Sequence, residues 1–243
     1  MSLKRTALKF SEIAKKTPQP IKSILKLFGV KKLLSFISDK YTAELAFQIA
    51  WANEFKKNKD RVLAYWEKYR YLDDIKNICK FEPTTKILDV GCGISTVLHF
   101  IKGQRYGIDP LADEYKKSYT FPSDISIQKA WSENIPFQDN FFDVVFCTNA
   151  LDHVTNPSKA LSEIHRVLRK NGLFVLTIEI FKENIKRDLA HPHSMTEKDV
   201  ERLWQEKFKK IFERESPWIG MRNFVNHTGT TENKELIVIL EKA

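Results

Sequence analysis

The segment Lys86-Ile-Leu-Asp-Val-Gly-Cys-Gly-Ile-Ser95 constrains the fold of this chain more than any other. An apolar run ends in an acid, Asp89, and passes directly into two glycines one residue apart, Gly91 and Gly93. Glycine permits a tight turn and a close approach of the backbone to a ligand. A strand, a glycine turn and a following helix form the entry unit of a parallel sheet, with helix N–H groups directed where negative charge is favoured. A second strand-like run ends at Asp109, twenty residues after Asp89. A carboxylate there can accept both hydroxyls of a ribose, and ligands of open α/β sheets bind at the carboxyl ends of the strands, where both acids fall. Asp89 as a helix cap and the glycines as a simple turn would explain either acid singly but not the pair at this spacing. The loop by itself fits more than one cofactor. A nicotinamide dinucleotide site would want glycine at Thr96, and no GK[ST] follows for a phosphate-binding loop.

From Lys86 onward, short apolar or β-branched runs alternate with helical stretches. Strands are predicted at Lys86–Val90, Arg105–Ile108, Ile125–Lys129, Phe142–Thr148 and Leu173–Glu179. Helices are predicted at Thr96–Lys102, Asp113–Ser118 and Ser158–Arg169. This alternation implies a parallel, doubly wound α/β sheet. A helix over Met195–Glu206 with Thr196 as N-cap and late strands at Phe208–Glu215 and Glu235–Glu241 complete the pattern. Residues 1–80 read as helical: short amphipathic pieces (Ile21–Phe28 and 30–38), a helix over 43–56, and a long helix from an Asp60 N-cap to Cys79. The expected organisation is a helical lid over residues 1–80 and an α/β domain over residues 81–243. The aromatics Phe47, Trp51, Phe55, Tyr65, Trp66 and Tyr69 either line an acceptor site or pack as core.

Composition narrows the classes. With 42% hydrophobic and 29% charged residues, the 243-residue chain can bury one sizeable core. No apolar run approaches the roughly 20 residues that cross a bilayer. Three cysteines without a CxxC argue against a disulfide framework or structural zinc, and no signal-like h-region precedes the fold, so a cytoplasmic protein is expected. Residues 1–40 hold ten Lys/Arg against Glu12 and Asp39, and so carry eight of the nine net positive charges. A Lys-rich amphipathic lead of this kind suits weak contact with an anionic membrane surface, which would make the protein peripheral. A solvated helical face and contact with nucleic acid phosphates are the alternatives. The near-neutral body and the lack of an RNA-binding module speak against nucleic acid as a partner.

Five stretches in family order resemble the class I S-adenosylmethionine-dependent methyltransferases of the type 11 group: ILDVGCG (87–93), YGIDP (106–110), SENIPFQDNFFDVVF (132–146), NALDHV (149–154) and ALSEIHRVLRKNGLFVL (160–176). The resemblance implies a Rossmann-like, seven-stranded sheet, mostly parallel with an antiparallel last strand. It implies S-adenosyl-L-methionine as cofactor. Asp89 and the loop Gly91-Cys92-Gly93 would hold its methionine end, and Asp109, followed by Pro110, its ribose. Trp131 stands where relatives often carry an acid; it would pack on the adenine while Ser132 reads the ring edge. Asn149, at the end of the fourth strand, would lie near the transferred methyl. Asn171-Gly172 matches the turn before the fifth strand, and Ser95 replaces the third loop glycine common in the family.

A sulfonium cofactor brings its own leaving group, so the protein chiefly positions the nucleophile and removes its proton. Histidine suits that role near neutral pH. His153 in NALDHV and the pair His191 and His193 in His-Pro-His follow the fourth and fifth strands, regions that face the acceptor in related enzymes. His153 could instead pack under the cofactor, and Asp152 could orient a histidine or cap a helix. The two histidines of His-Pro-His have a spacing that could ligate a metal, but no third ligand with a matching motif accompanies them, so no metal is expected. The acceptor expected is a small molecule, glycan or glycolipid methylated on oxygen. The alternatives are carbon methylation of a quinone-type precursor, RNA methylation, or cofactor binding without catalysis.

Overall fold

A computed structural model of the chain describes residues 40–69, 71–184, 191–217 and 234–243. Among the described residues, three helices come first: α1 (Lys40–Lys57), α2 (Lys59–Tyr69) and α3 (Leu72–Cys79). They are followed by β1 (Lys86–Val90), β2 (Gln104–Asp109), α4 (Ala112–Ser118), β3 (Ile125–Lys129) and β4 (Phe142–Thr148). The chain continues through α5 (Pro157–Val167), β5 (Leu168–Ile180), α6 (Glu197–Trp204), β6 (Phe208–Pro217) and β7 (Lys234–Lys242). The strands form one seven-stranded sheet in the order β3-β2-β1-β4-β5-β7-β6, with β7 antiparallel to both of its neighbours and the remaining pairs parallel. The expected Rossmann-like α/β architecture is therefore present. The order in which strands are added reverses between β1 and β4, the switch point where such sheets open a ligand crevice.

Successive residues of the central strands point to opposite faces, and both faces are covered. Ile87, Val144, Phe146, Val175, Ile237 and Ile239 face one buried cluster, which continues into Trp51, Phe55, Val62, Tyr65, Trp66, Leu72 and Ile75 of α1–α3. Leu88, Val90, Val145, Cys147, Phe174 and Leu176 face the other, closed by Ala160, Leu161, Ile164, Val200 and Trp204 of α5 and α6. Each such side chain contributes about 1.5–3 kcal/mol of transfer free energy. Four aromatics of α1 and α2 are thus core: Trp51, Phe55, Tyr65 and Trp66 are all buried.

Several boundaries differ from expectation. The predicted helix over Thr96–Lys102 is only a 3-10 turn, Val97–His99. The Thr96 hydroxyl is committed to Asp89, and the Arg105 guanidinium takes the carbonyls of Leu98 and Ile101, so no i to i−4 ladder develops. The predicted Asp60–Cys79 helix is two helices, because Tyr71 adopts φ 49 between them. Asp60 lies within the first turn of α2 rather than capping it; the Asn58 carbonyl accepts from the Arg61 and Val62 amides. Helix α5 ends at Val167 rather than Arg169, and β5 begins five residues before Leu173, at Leu168. Asn171, with φ 58, sits inside that strand, where the register against β4 jumps from Phe142↔Leu168 to Val144↔Leu173. The α6 N-terminus is as predicted: Thr196 caps it and forms a capping box with Asp199. The readings at 1–39 lie outside the described residues.

Candidate active site

The loop after β1 is shaped by contacts that only glycine allows. The Gly91 and Cys92 amides both donate to the Ile108 carbonyl, at 2.9 and 3.1 Å, folding the loop back over β2. Gly91 has φ +70, and a Cβ there would lie 2.4 Å from the Ala150 Cβ beyond β4. Gly93 has φ +54, and a Cβ there would meet the Gln48 side-chain amide of α1 at 2.6 Å. At the strand end, Asp89 is 1% exposed. Its Oδ2 accepts from the Thr96 hydroxyl at 2.6 Å, and its Oδ1 is buried without a hydrogen-bond partner. Burial pushes its carboxyl up to about 7, with the neighbouring Asp109 adding to the rise and the Thr96 bond opposing it.

The second acid is held by main-chain donors. Asp109 Oδ2 accepts from the Gly93 amide at 3.1 Å and Oδ1 from the Leu111 amide at 2.8 Å. It too is buried, and burial is the main cause of a rise to about 6. Pro110 follows it, half-buried, ahead of α4. Cys92 is buried beside both acids, and burial keeps its thiol far above its ordinary range, so it is no nucleophile.

Past β3, the Ala130 amide donates to the Asp109 carbonyl at 3.3 Å, which ties the next segment to the acid pair. Trp131 is 48% exposed, with the Lys129 ammonium 5.9 Å from its ring centroid. Ser132 is buried and donates to Glu133 at 2.8 Å. Glu133 also accepts from the Thr155 and Asn156 amides, which bridges this segment to the start of α5. From α5, Arg166 donates to the Ile135 and Phe137 carbonyls and to Asp139, and Glu163 accepts from the Ile135 amide. Two residues within one helix thus pin the loop that carries Trp131 and Ser132.

The third side of the crevice is the segment after β4. Asn149 takes φ 47, and its amide donates to the Thr177 carbonyl of β5 at 2.8 Å. Four residues on, His153 lies between two carboxylates: its Nδ1 is 3.8 Å from Glu44 of α1, and its Nε2 is 3.8 Å from the buried Asp152. The His191 ring centroid is 4.3 Å from that of His153. His193 points elsewhere, one ring nitrogen 3.0 Å from the Val154 carbonyl, while its amide donates to the Asp152 carbonyl. Of the three candidate histidines, the structure brings His153 and His191 together at the mouth and ties His193 into the backbone beside them.

Two residues escaped the sequence reading. On α1, Gln48 accepts from the Ile94 amide at 2.7 Å and donates to Glu44 at 2.8 Å. A continuous polar chain therefore runs from the glycine loop through Gln48 and Glu44 to His153. Their i, i+4 spacing is readable in sequence, but so are many such pairs on exposed helices; only the docking of α1 selects this one.

Residues 88–176 match the family model of a methyltransferase domain. A probable methyltransferase, ltbC, of Aspergillus luteorubrus is 31% identical over 155 residues, covering 56% of this chain and 51% of that protein. An uncharacterized methyltransferase, YcgJ, of Bacillus subtilis is 29% identical over 99 residues, covering 37% of this chain and 39% of that protein. The chain therefore spans about half or less of these curated relatives. In three dimensions the crystal structure of YcgJ superposes with a TM-score of 0.55 at 18% identity, covering 70% of this chain and 97% of that one. The fold also matches the [4+2]-cyclase SpnF, with a TM-score of 0.57 at 17% identity over 71% of this chain and 80% of that one. The fold alone thus does not fix a reaction. The matched segment carries the glycine loop and both acids, so the part of the chain that is similar to a methyltransferase domain is the part that forms this crevice.

Proposed function

We propose that this protein binds S-adenosylmethionine in the crevice between the glycine loop and Asp109 and directs its methyl group to an oxygen of a small-molecule, glycan or lipid-linked acceptor. The observation that carries the cofactor reading is the buried Oδ1 of Asp89, which lacks a hydrogen-bond partner beside two glycines, Gly91 and Gly93, where a Cβ would clash. A buried acceptor of this kind suits a ligand ammonium group. The Ile94 amide, now bonded to the Gln48 oxygen, is the kind of donor that a ligand carboxylate would take over. Asp109, held by the Gly93 and Leu111 amides, keeps lone pairs for ribose hydroxyls. Half-exposed Trp131 offers a flat face for a purine, with Ser132 at its edge. These are the chain's own contributions: binding, orientation and exclusion of water. The cofactor supplies the electrophilic methyl group and its leaving group.

Oxygen is favoured over carbon as acceptor by the mouth of the crevice. A hydroxyl must lose a proton on methylation, whereas an activated carbon needs less help. His153 and His191, backed by Asp152 and Glu44, form a cluster suited to hold that oxygen and draw off its proton. The helices over residues 40–79 serve as the lid, since Glu44 and Gln48 of α1 lie over the loop. The lead over residues 1–40, with its concentrated positive charge, would carry weak contact with an anionic lipid surface.

Calorimetric titration with S-adenosylhomocysteine tests the cofactor reading. Micromolar binding is expected, weakened at least about tenfold by Asp109→Ala, since one charge-assisted ribose contact accounts for over about 1.4 kcal/mol. No binding to the folded protein would sink the reading.

A further inference from the structure

We propose that Asp152, His153 and His191 form a binding site for one divalent transition-metal ion at the mouth of the crevice. The three residues each offer one donor atom, and these atoms lie within 4.8 Å of one another. Metal–nitrogen and metal–oxygen bonds of about 2.0–2.2 Å in tetrahedral array put donors roughly 3.4 Å apart, which small side-chain rotations reach from here. Two imidazoles and one carboxylate suit a borderline ion of the zinc, cobalt or nickel kind; magnesium and calcium prefer shells of oxygen.

The surroundings resemble those of a metal centre in two further respects. Asp152 is 4% exposed whereas His153 and His191 are half-buried, so the donors are arranged as an inner carboxylate with two outer imidazoles. Three protein ligands with an open side are the pattern of sites that accept a further oxygen ligand. Second, the two nitrogens of His153 face different carboxylates: Nε2 faces Asp152 and Nδ1 faces Glu44. A metal on Nε2 leaves Nδ1–H to donate to Glu44, the arrangement in which an outer carboxylate fixes the tautomer of a ligating imidazole. Glu44 is in turn held by Gln48, whose oxygen accepts from the loop amide of Ile94. The site therefore reaches the cofactor loop through Glu44, 3.8 Å from His153, and the hydrogen bonds of Gln48.

The ion's part in the reaction, holding an acceptor oxygen and lowering its pKa in place of direct proton removal by His153 or His191, rests on the methyl-transfer reading; its binding does not. The test is a titration of the full chain, freed of metal by dialysis against a chelator, with Zn²⁺ and no cofactor present. One equivalent is expected to bind and to raise Tm. His191→Gln and His153→Gln should each weaken binding at least about tenfold, and Glu44→Gln about ten- to a hundredfold. His165→Gln, on α5 and outside the cluster, should leave it unchanged. Melting curves of the metal-free variants show whether each folds, and His191→Gln, at a half-buried loop position, keeps the test decisive if His153→Gln does not. Bound Co²⁺ should show visible bands of a nitrogen–oxygen site. Near-ultraviolet thiolate charge-transfer bands would put the ion on a cysteine and overturn the proposal. So would equal affinity in all variants, Mg²⁺ binding as well as Zn²⁺, or no binding. Failure here leaves the S-adenosylhomocysteine titration standing, and failure of that titration leaves the metal site standing.

Discussion

Asp89 carries the sharpest residue-level consequence. Its carboxyl is raised to about 7 by burial, against about 4 in an unfolded chain. Between those values the folded state holds a proton that the unfolded state has lost, so this residue's contribution to stability falls as pH rises from about 4 to about 7. The difference in unfolding free energy between wild type and Asp89→Asn, followed by denaturant titration across that window, should slope accordingly; a flat difference would contradict the burial argument. Binding should show the complementary trend. A ligand ammonium favours the ionised carboxyl, so S-adenosylhomocysteine should bind more tightly as pH rises through about 7, and Asp89→Asn should flatten that dependence. Gly91 gives a second residue-level prediction. Alanine there must take φ +70 and meet Ala150, so Gly91→Ala should lower stability by about 1–3 kcal/mol through the backbone strain alone, with the clash adding to it. Adding Ala150→Gly should recover only part of the loss in Tm, because it relieves the clash and not the dihedral.

At the scale of elements, α5 acts as a clamp on the loop after β3. Arg166 satisfies the Ile135 and Phe137 carbonyls and pairs with Glu163 and Asp139. Arg166→Ala should cost about 2 kcal/mol of stability, as expected for charge-assisted bonds to partly buried carbonyls. It should also weaken S-adenosylhomocysteine binding several-fold, because the freed loop carries Trp131 and Ser132. Arg169→Ala, which removes only an exposed pair with Asp143, should change binding little. Equal effects of the two substitutions in the titration would remove the loop from the site. Elements were legible where periodicity and caps agreed, as at Phe142–Thr148 and at the Thr196 cap. They were misread where one side chain redirected the backbone, as Arg105 and Thr96 do after the glycine loop.

For the whole molecule, the helices before the sheet and the sheet itself share one core. Nine buried residues between Trp51 and Cys79 join the cluster that includes Ile94, Val97, Leu98 and Phe146. A chain beginning at Pro83 would expose that face, so it should aggregate or melt without a cooperative transition in calorimetry. A cooperatively folded fragment would make α1–α3 a detachable domain. Local pattern determined the strand–glycine–acid unit, the alternation that demands a parallel sheet, and the positions of Asp89 and Asp109, because each depends on neighbours a few residues away. The grouping of Glu44 with His153, and of Asp152 with His191, was decided by tertiary structure. Those partners lie on α1 and after β4 and β5, far apart in the chain. They meet only because apolar burial docks α1 across the glycine loop while the sheet order brings the ends of β4 and β5 side by side.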